Sequence, residues 1–291
     1  MGLCDINEIR DILGRHGFHF SKSLGQNFLT AAWVPAQIAA ECGVDQESCA
    51  IEVGPGMGCL TVELSKRAGK VTAIELDRSL FPVLEETLAG CDNVEVVQGD
   101  VLKVDLAALC AEKFGDKPVY ACANLPYYIT TPAITALLES GAFRAVTVMV
   151  QKEVAERICA VPGTSDYSAF SIFVQYRAKA EILFDVPADC FVPQPKVDSA
   201  VIRLTPLEKP AVEVSDEKLF FSIVRAAFNQ RRKTLSNAAV AAFNGKLDKS
   251  DVAALLESIG LDPRVRGERL SLEEYARLTD AAAALIASKS E

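Results

Sequence analysis

"CAIEVGPGMGCLTVELSKRA" (49–68) carries three signals in succession. An apolar run ends at Val53, glycines follow at 54, 56 and 58, and Leu60 and Leu64 then repeat at helical spacing. A strand, a glycine turn and a helix in that order form the first half of a β-α-β unit. The pattern recurs downstream. Apolar runs "KVTAIEL" (70–76), "VEVVQGD" (94–100), "VYACAN" (119–124) and "AVTVMVQ" (145–151) alternate with the helical patterns "SLFPVLEETLA" (79–89), "LAALCAEKF" (106–114) and "PAITALLES" (132–140). Alternation of this kind predicts an α/β fold, its parallel sheet covered on both faces. "AEILFDV" (180–186) and "SAVIRLTP" (199–206) follow without a full helix between them. They predict an antiparallel pair closing one edge, for seven strands in all. Beyond "TPLEKPAVEVSDEK" (205–218) the pattern is purely helical. The expected domains are therefore 1–206, α/β, and 207–291, a small all-α domain.

The glycine turn bears on chemistry. Glycines let a backbone turn sharply and approach a ligand closely. A dinucleotide fingerprint reads G-x-G-x-x-G, but here Cys59 occupies the third glycine's position. Glu75 ends the second strand, about 20 residues on, where an acid holds ribose hydroxyls. Asp100 ends the third, placed to reach an adenine edge. An adenosine-containing ligand fits this set, and a dinucleotide fits less well.

Composition excludes several classes. Half the residues are hydrophobic, yet no run approaches the ~20 needed to span a bilayer. "MGLCDINEIRDILGRHGF" (1–18) is charged from residue 5 and lacks the apolar stretch of a signal peptide. The nine cysteines include no C-x-x-C and read as small core residues of a reducing compartment. With only His16 and His19, histidine catalysis and histidine metal sites are not expected. Net charge is −9, and residues 24–184 hold 12 basic and 20 acidic side chains. Basic clusters fall later, in "RAAFNQRRKTLSN" (225–237) and "RVRGER" (264–269). Each is either a solvated helix face or a local patch for nucleic acid.

"CANLPYYIT" (122–130) ends the fourth strand with an amide, a proline and a phenol. Taken alone, Asn124-Leu125-Pro126-Tyr127 describes a strand stopping at a proline-led loop, its tyrosines packed as core.

Several motifs together carry a resemblance: "KSLGQNFL" (22–29), "EVGPGMGCLT" (52–61), "IELD" (74–77), "GDVL" (99–102), "NLPYYIT" (124–130), "MVQKEVAERI" (149–158), "FVPQPKVDSAVIRL" (191–204) and "FNQRRKTL" (228–235). Over nearly its whole length the chain resembles the ribosomal RNA adenine dimethyltransferases, in particular the bacterial branch acting on small-subunit (16S) RNA. That resemblance implies a Rossmann-like S-adenosylmethionine-dependent methyltransferase fold. It implies N6,N6-dimethylation of two adjacent adenosines in the 3′-terminal hairpin, by a monomeric cytoplasmic enzyme needing neither metal nor membrane. The implied partners are small-subunit rRNA and the immature small ribosomal subunit.

Site roles follow from the same resemblance. Asn27 and Leu29 close over the cofactor, and Gly54 and Gly56 cradle it. Glu75 takes the ribose and Asp100 the adenine, with Leu76 and Val101 beside them. Asn124 stands between cofactor and target. The Asn124 amide oxygen and the Leu125 carbonyl, held by Pro126, would draw an adenine amine toward tetrahedral geometry. Tyr127 would stack on the flipped base and Phe191 on its other face. Arg231, Arg232 and Lys233 would contact RNA phosphates. Two rivals remain at this point. A nicotinamide dehydrogenase would call for a third glycine and a Tyr-Lys or His pair. A non-catalytic RNA-binding or transcription factor would share the fold.

Overall fold

A computed structural model describes residues 2–18 and 25–289. His19 and the first three residues of "KSLGQNFL" lie outside the described residues. The elements run α1 (Ile6–Arg15), β1 (Phe28–Leu29), α2 (Trp33–Glu41), β2 (Cys49–Val53), α3 (Cys59–Ser65), β3 (Lys70–Glu75), α4 (Phe81–Thr87), β4 (Val94–Gln98), α5 (Leu106–Phe114), β5 (Val119–Asn124), α6 (Thr130–Glu139), β6 (Val146–Gln151), α7 (Lys152–Cys159), α8 (Ala169–Arg177), β7 (Ala178–Val186), β8 (Phe191–Val192) and β9 (Ser199–Pro206). Four helices follow: α9 (Glu217–Asn229), α10 (Leu235–Ala238), α11 (Lys249–Ser258) and α12 (Leu272–Ser288). The chain divides into two compact units, Met1–Ala155 with Lys179–Pro206, and Glu156–Ala178 with Leu207–Glu291.

The first unit is built on a seven-stranded sheet in the order β4-β3-β2-β5-β6-β9-β7. Pairing from β4 to β6 is parallel. β9 runs antiparallel to β6, with Gln151 opposite Ser199. All five residues of β2 are buried, as expected of a central strand covered on both faces, and apart from Glu52 it reads as an apolar run. β4, at the edge, is only partly buried and accommodates Glu95 and Gln98. Apolar clusters hold helices to the sheet. One joins Val34, Ile38, Leu60 and Leu64 to Val71 and Met149. Another joins Ile9, Ile12 and Leu13 of α1 to Phe28, Met57, Leu80 and Leu84. Each such side chain contributes roughly 1.5–3 kcal/mol when fully buried.

Strand register decides where a site can form. Val53 lies opposite both Ile74 and Ala123, and Glu75 opposite Gln98. The residues leaving β2, β3, β4 and β5 therefore emerge together at one end of the sheet. β3 and β4 flank β2 on one side, β5 and β6 on the other. That switch of direction opens a crevice beyond the strand ends.

The second unit is helical around Phe220, Ile223, Phe243, Leu256, Tyr275 and Leu278. Tyr167, Ile172 and Tyr176 are buried in the same cluster. Residues 156–178, placed with the α/β part by the sequence reading, thus group with the later helices. Their aromatic side chains find their apolar partners there. Arg177 lies 4.3 Å from the ring centre of Phe173 and 4.7 Å from that of Phe221, and pairs with Glu217 at 2.6 Å. Asp216, Asp248 and Ser271 cap α9, α11 and α12 through their side chains, each cap worth about 1 kcal/mol. All nine cysteines are free thiols, six of them buried. Among the described residues no helix is long and apolar enough to cross a membrane.

Candidate active site

The glycine turn forms the floor of the crevice. Gly54, Gly56 and Gly58 have φ of 68°, 59° and 85°, a left-handed backbone that side chains disfavour. The Gly54 amide donates to the Ile74 carbonyl at 2.9 Å, which keeps the turn stitched to β3. Met57 is buried and anchors it below. A Cβ added to Gly54 would meet nothing within 4 Å, so the backbone here faces open space. Cys59 begins α3, and its thiol donates to the Leu3 carbonyl at 3.1 Å.

Acids line the β3 and β4 side. Glu75, 6% exposed, accepts from the Asp77 amide at 2.7 Å. Burial raises its pKa, while the amides of Asp77, Leu76 and Gly56 pull the other way. Asp100 accepts from the Leu102 amide at 3.0 Å and faces Lys103 at 3.4 Å. Gln26 reaches Asp77 at 2.8 Å, tying the chain before β1 to the end of β3. Glu52, within β2, is 1% exposed, and burial pushes its carboxyl up to about 8. Thr61 nearby tempers that rise and Glu75 adds to it. Even so, Glu52 Oε2 and the Thr61 hydroxyl have no hydrogen-bond partner among the described residues. Their geometry leaves the carboxyl short of polar contacts.

The opposite wall is the turn after β5. Asn124 Nδ2 donates to the Asn27 carbonyl at 3.3 Å, and Asn27 Nδ2 to the Gly25 carbonyl at 3.1 Å. The Leu125 amide donates to Met149 of β6 at 3.2 Å. Pro126, at φ −57° and ψ 132°, carries the chain into a single 3-10 turn, Tyr127–Ile129. Neither the Asn124 amide oxygen nor the Leu125 carbonyl takes a hydrogen bond from the described residues. The Tyr127 hydroxyl lies 2.9 Å from that of Ser199. Burial raises the phenol's pKa, the Ser199 bond opposes this, and Asp198 adds to the rise. Phe191, in β8, is buried opposite Leu29 of β1.

One cleft is lined by Asn27, Leu29, Gly54, Gly56, Glu75, Leu76, Asp100, Val101, Asn124, Leu125, Pro126, Tyr127 and Phe191. A family model described as "Ribosomal RNA adenine dimethylase" matches residues 17–283. The chain belongs to that family. The Ribosomal RNA small subunit methyltransferase A of Clostridium perfringens is 50% identical over 283 residues, covering 95% of this chain and 97% of that protein. The protein of the same name from Geobacillus thermodenitrificans is 49% identical over 275 residues, 94% of each chain. A dimethyladenosine transferase from Plasmodium falciparum superposes with a TM-score of 0.70 at 27% identity, over 86% of this chain and 95% of that one. The mostly parallel seven-stranded sheet and the helical C-terminal region are those the alternation predicted, and the dimethylase fold is the one the resemblance implied.

Arg231, Arg232 and Lys233 belong to the helical unit. α9 ends at Asn229, so the triplet occupies the turn before α10 rather than a helix. Arg231 donates to Glu268 Oε2 at 3.0 Å and to the Ser165 carbonyl at 2.8 Å.

Among the cleft residues of this dimethylase to which the sequence reading gave no role are Glu52, Gln26 and Tyr128. An acid inside a five-residue apolar strand was the available signal for Glu52. Nothing local marks Gln26, whose partner lies 51 positions away.

Proposed function

We propose that this chain transfers methyl groups from S-adenosylmethionine to the N6 amine of adenosine in small-subunit rRNA. It does so twice on each of two adjacent adenosines of the 3′-terminal hairpin, within the immature small subunit. One observation carries the reading. Two acceptors at the end of β5, the Asn124 amide oxygen and the Leu125 carbonyl, stand uncommitted in a cleft whose far wall is acidic.

The residues suit the cofactor. The Gly54 backbone is bare toward the cleft, leaving room for a close approach. Glu75 and Asp100, at the ends of β3 and after β4, are acceptors for ribose hydroxyls and an adenine amine. Glu75 and Asp100 together favour a ligand bearing positive charge. When bound, the cofactor supplies an electrophilic methyl group on its sulfonium.

The protein's task is to make the amine reactive. An adenine amine is a poor nucleophile because its lone pair is delocalised into the ring. Acceptors aimed at both N–H bonds draw the nitrogen toward tetrahedral geometry and localise that pair. Leu125 is fixed through its amide on β6, and Asn124 through Nδ2 on Asn27, so both acceptors are held before the base arrives. Such preorganisation needs no reorganisation during reaction. Tyr127, pinned through Ser199, offers its ring to the base. A neutral amide also tolerates an amine that has already lost one N–H. A second transfer is therefore feasible, whereas a buried carboxylate would lose more with its partner gone.

The test is incubation with labelled S-adenosylmethionine and unmodified immature small subunits, followed by digestion and mass analysis. N6,N6-dimethyladenosine with a transient monomethyl species is expected. Binding without label would favour an assembly factor. Monomethyl product alone, or a methylated cytosine, would overturn the reading.

A further inference from the structure

Tyr127 and Tyr128 are consecutive in one 3-10 turn. Three residues complete such a turn, so neighbouring side chains project about 120° apart. The two rings therefore cannot flank the same base. Their surroundings differ as well. Tyr127 is half-buried with its hydroxyl bound to Ser199. Tyr128 lines the same cleft yet is 55% exposed, and its hydroxyl makes no hydrogen bond with the described residues.

The ring is nonetheless seated. A Cβ built on Gly25 would lie 3.3 Å from Tyr128 Cδ1 and 3.5 Å from Cε1. Part of the ring is thus packed against the backbone at Gly25, and the remainder faces solvent at the cleft's mouth. A ring already held on one side loses little freedom when something covers the other.

We infer that Tyr128 is a second stacking platform, for the nucleotide adjoining the adenosine being methylated. The inference rests on the adenosine reading above. A base drawn into the cleft leaves its neighbours one phosphate away, so they must lie at the mouth. Charge favours the Tyr128 side. Glu75, which ends β3, and Asp100, which follows β4, lie on one flank of β2 and repel a phosphate chain. Tyr128 follows β5, on the other flank. Stacking accepts any base, because each has a π-face. Tyr128 would therefore set the angle of the strand at the mouth rather than read its sequence. Where two neighbouring adenosines are modified in turn, it would hold whichever is not in the cleft.

The experiment uses immature small subunits reconstituted with rRNA in which 2-aminopurine replaces the target adenosine, or the nucleotide on either side of it. Fluorescence is read with S-adenosylhomocysteine present to block reaction. For the wild type, quenching is expected at the target and at one flanking position. Tyr128→Phe should behave as wild type. Tyr128→Ala should lose the flanking quench, keep the target quench, and bind subunits roughly tenfold more weakly. Its melting temperature and S-adenosylhomocysteine affinity should be unchanged. Flanking signals identical in wild type and Tyr128→Ala would overturn the inference. So would a Tyr128→Ala protein whose melting temperature and S-adenosylhomocysteine affinity both fall, because the ring would then be part of the cleft's own structure. If the wild type neither quenches at the target nor methylates unsubstituted subunits, the adenosine reading itself fails.

Discussion

The Tyr127 hydroxyl lies 2.9 Å from the hydroxyl of Ser199, the buried residue that opens β9. That bond makes the ring's orientation a property of the sheet. If Tyr127 only stacked, Tyr127→Phe would be harmless. With the tether, Phe leaves a buried serine hydroxyl unpaired, at a cost of about 1 kcal/mol or more. Tyr127→Phe and Ser199→Ala should each slow single-turnover methylation about fivefold. The double variant should be no slower than either, since both remove one interaction. Tyr127→Ala should be far worse. Multiplicative losses in the double variant would show that the bond does not orient the ring.

Gly54 and Gly58 both have positive φ, but they face different surroundings. Alanine in such a backbone costs about 1–2 kcal/mol, so both variants should melt lower. At Gly58 the new Cβ would also lie 2.9 Å from Leu88 Cδ2, making Gly58→Ala the less stable of the two. At Gly54 it meets nothing within 4 Å and projects into open space. Calorimetry should therefore find the larger loss of S-adenosylmethionine affinity in Gly54→Ala. Equal affinities in the two variants would remove Gly54 from the cofactor wall.

Glu52 makes stability depend on pH. Its carboxyl is pushed from 4.5 to about 8 by burial. The folded state holds that proton when the unfolded chain has already released it. The group's contribution is therefore fully present below pH 4.5 and is lost as pH rises toward 8. Glu75 shifts in the same direction, also through burial. Without ligand, the wild type should lose stability of order a few kcal/mol between pH 5 and 8. Glu52→Gln should flatten that slope and melt above the wild type at pH 8. Parallel melting curves against pH would show that Glu52 is ionised in the folded protein.

The strands were legible because buried parallel strands are near-continuous apolar runs, as "CAIEV" is apart from Glu52. Glu75, Asp100 and Asn124 were legible because each ends or follows a strand, and parallel register brings such ends together. Less visible were relationships between distant positions. No local pattern announces that Ser199 would reach Tyr127 across 72 positions. The grouping of 156–178 with the helical unit depends on which apolar surface accepts Tyr167 and Tyr176, and periodicity carries no such information. The basic run at 231–233 looked like a continuous helix because Phe228 and Leu235 keep helical spacing. The backbone instead turns at Gln230, φ −128° and ψ 46°.

That turn separates the roles of two adjacent arginines. Arg231 spends its guanidinium on Glu268, at 3.0 Å, and on the Ser165 carbonyl, at 2.8 Å. It joins two segments of the helical unit, and a half-exposed pair of this kind contributes up to about 1 kcal/mol. Arg232 is exposed, and no described residue holds its side chain. In a chain of net charge −9, RNA must be met by a local patch, because charges beyond the Debye length of ~10 Å at 0.1 M salt are screened. Arg232→Ala should weaken binding to all RNA sequences alike and make the salt dependence shallower by about one unit. Its melting temperature and cofactor affinity should stay at wild-type values. Arg231→Ala should instead lower the melting temperature by a few degrees and change the salt slope less. If Arg232→Ala leaves RNA affinity and salt dependence untouched, the exposed arginine does not meet phosphate. The RNA path would then run along Arg264, Arg266 and Arg269, where Arg264 is already partly neutralised by Asp262 at 3.4 Å.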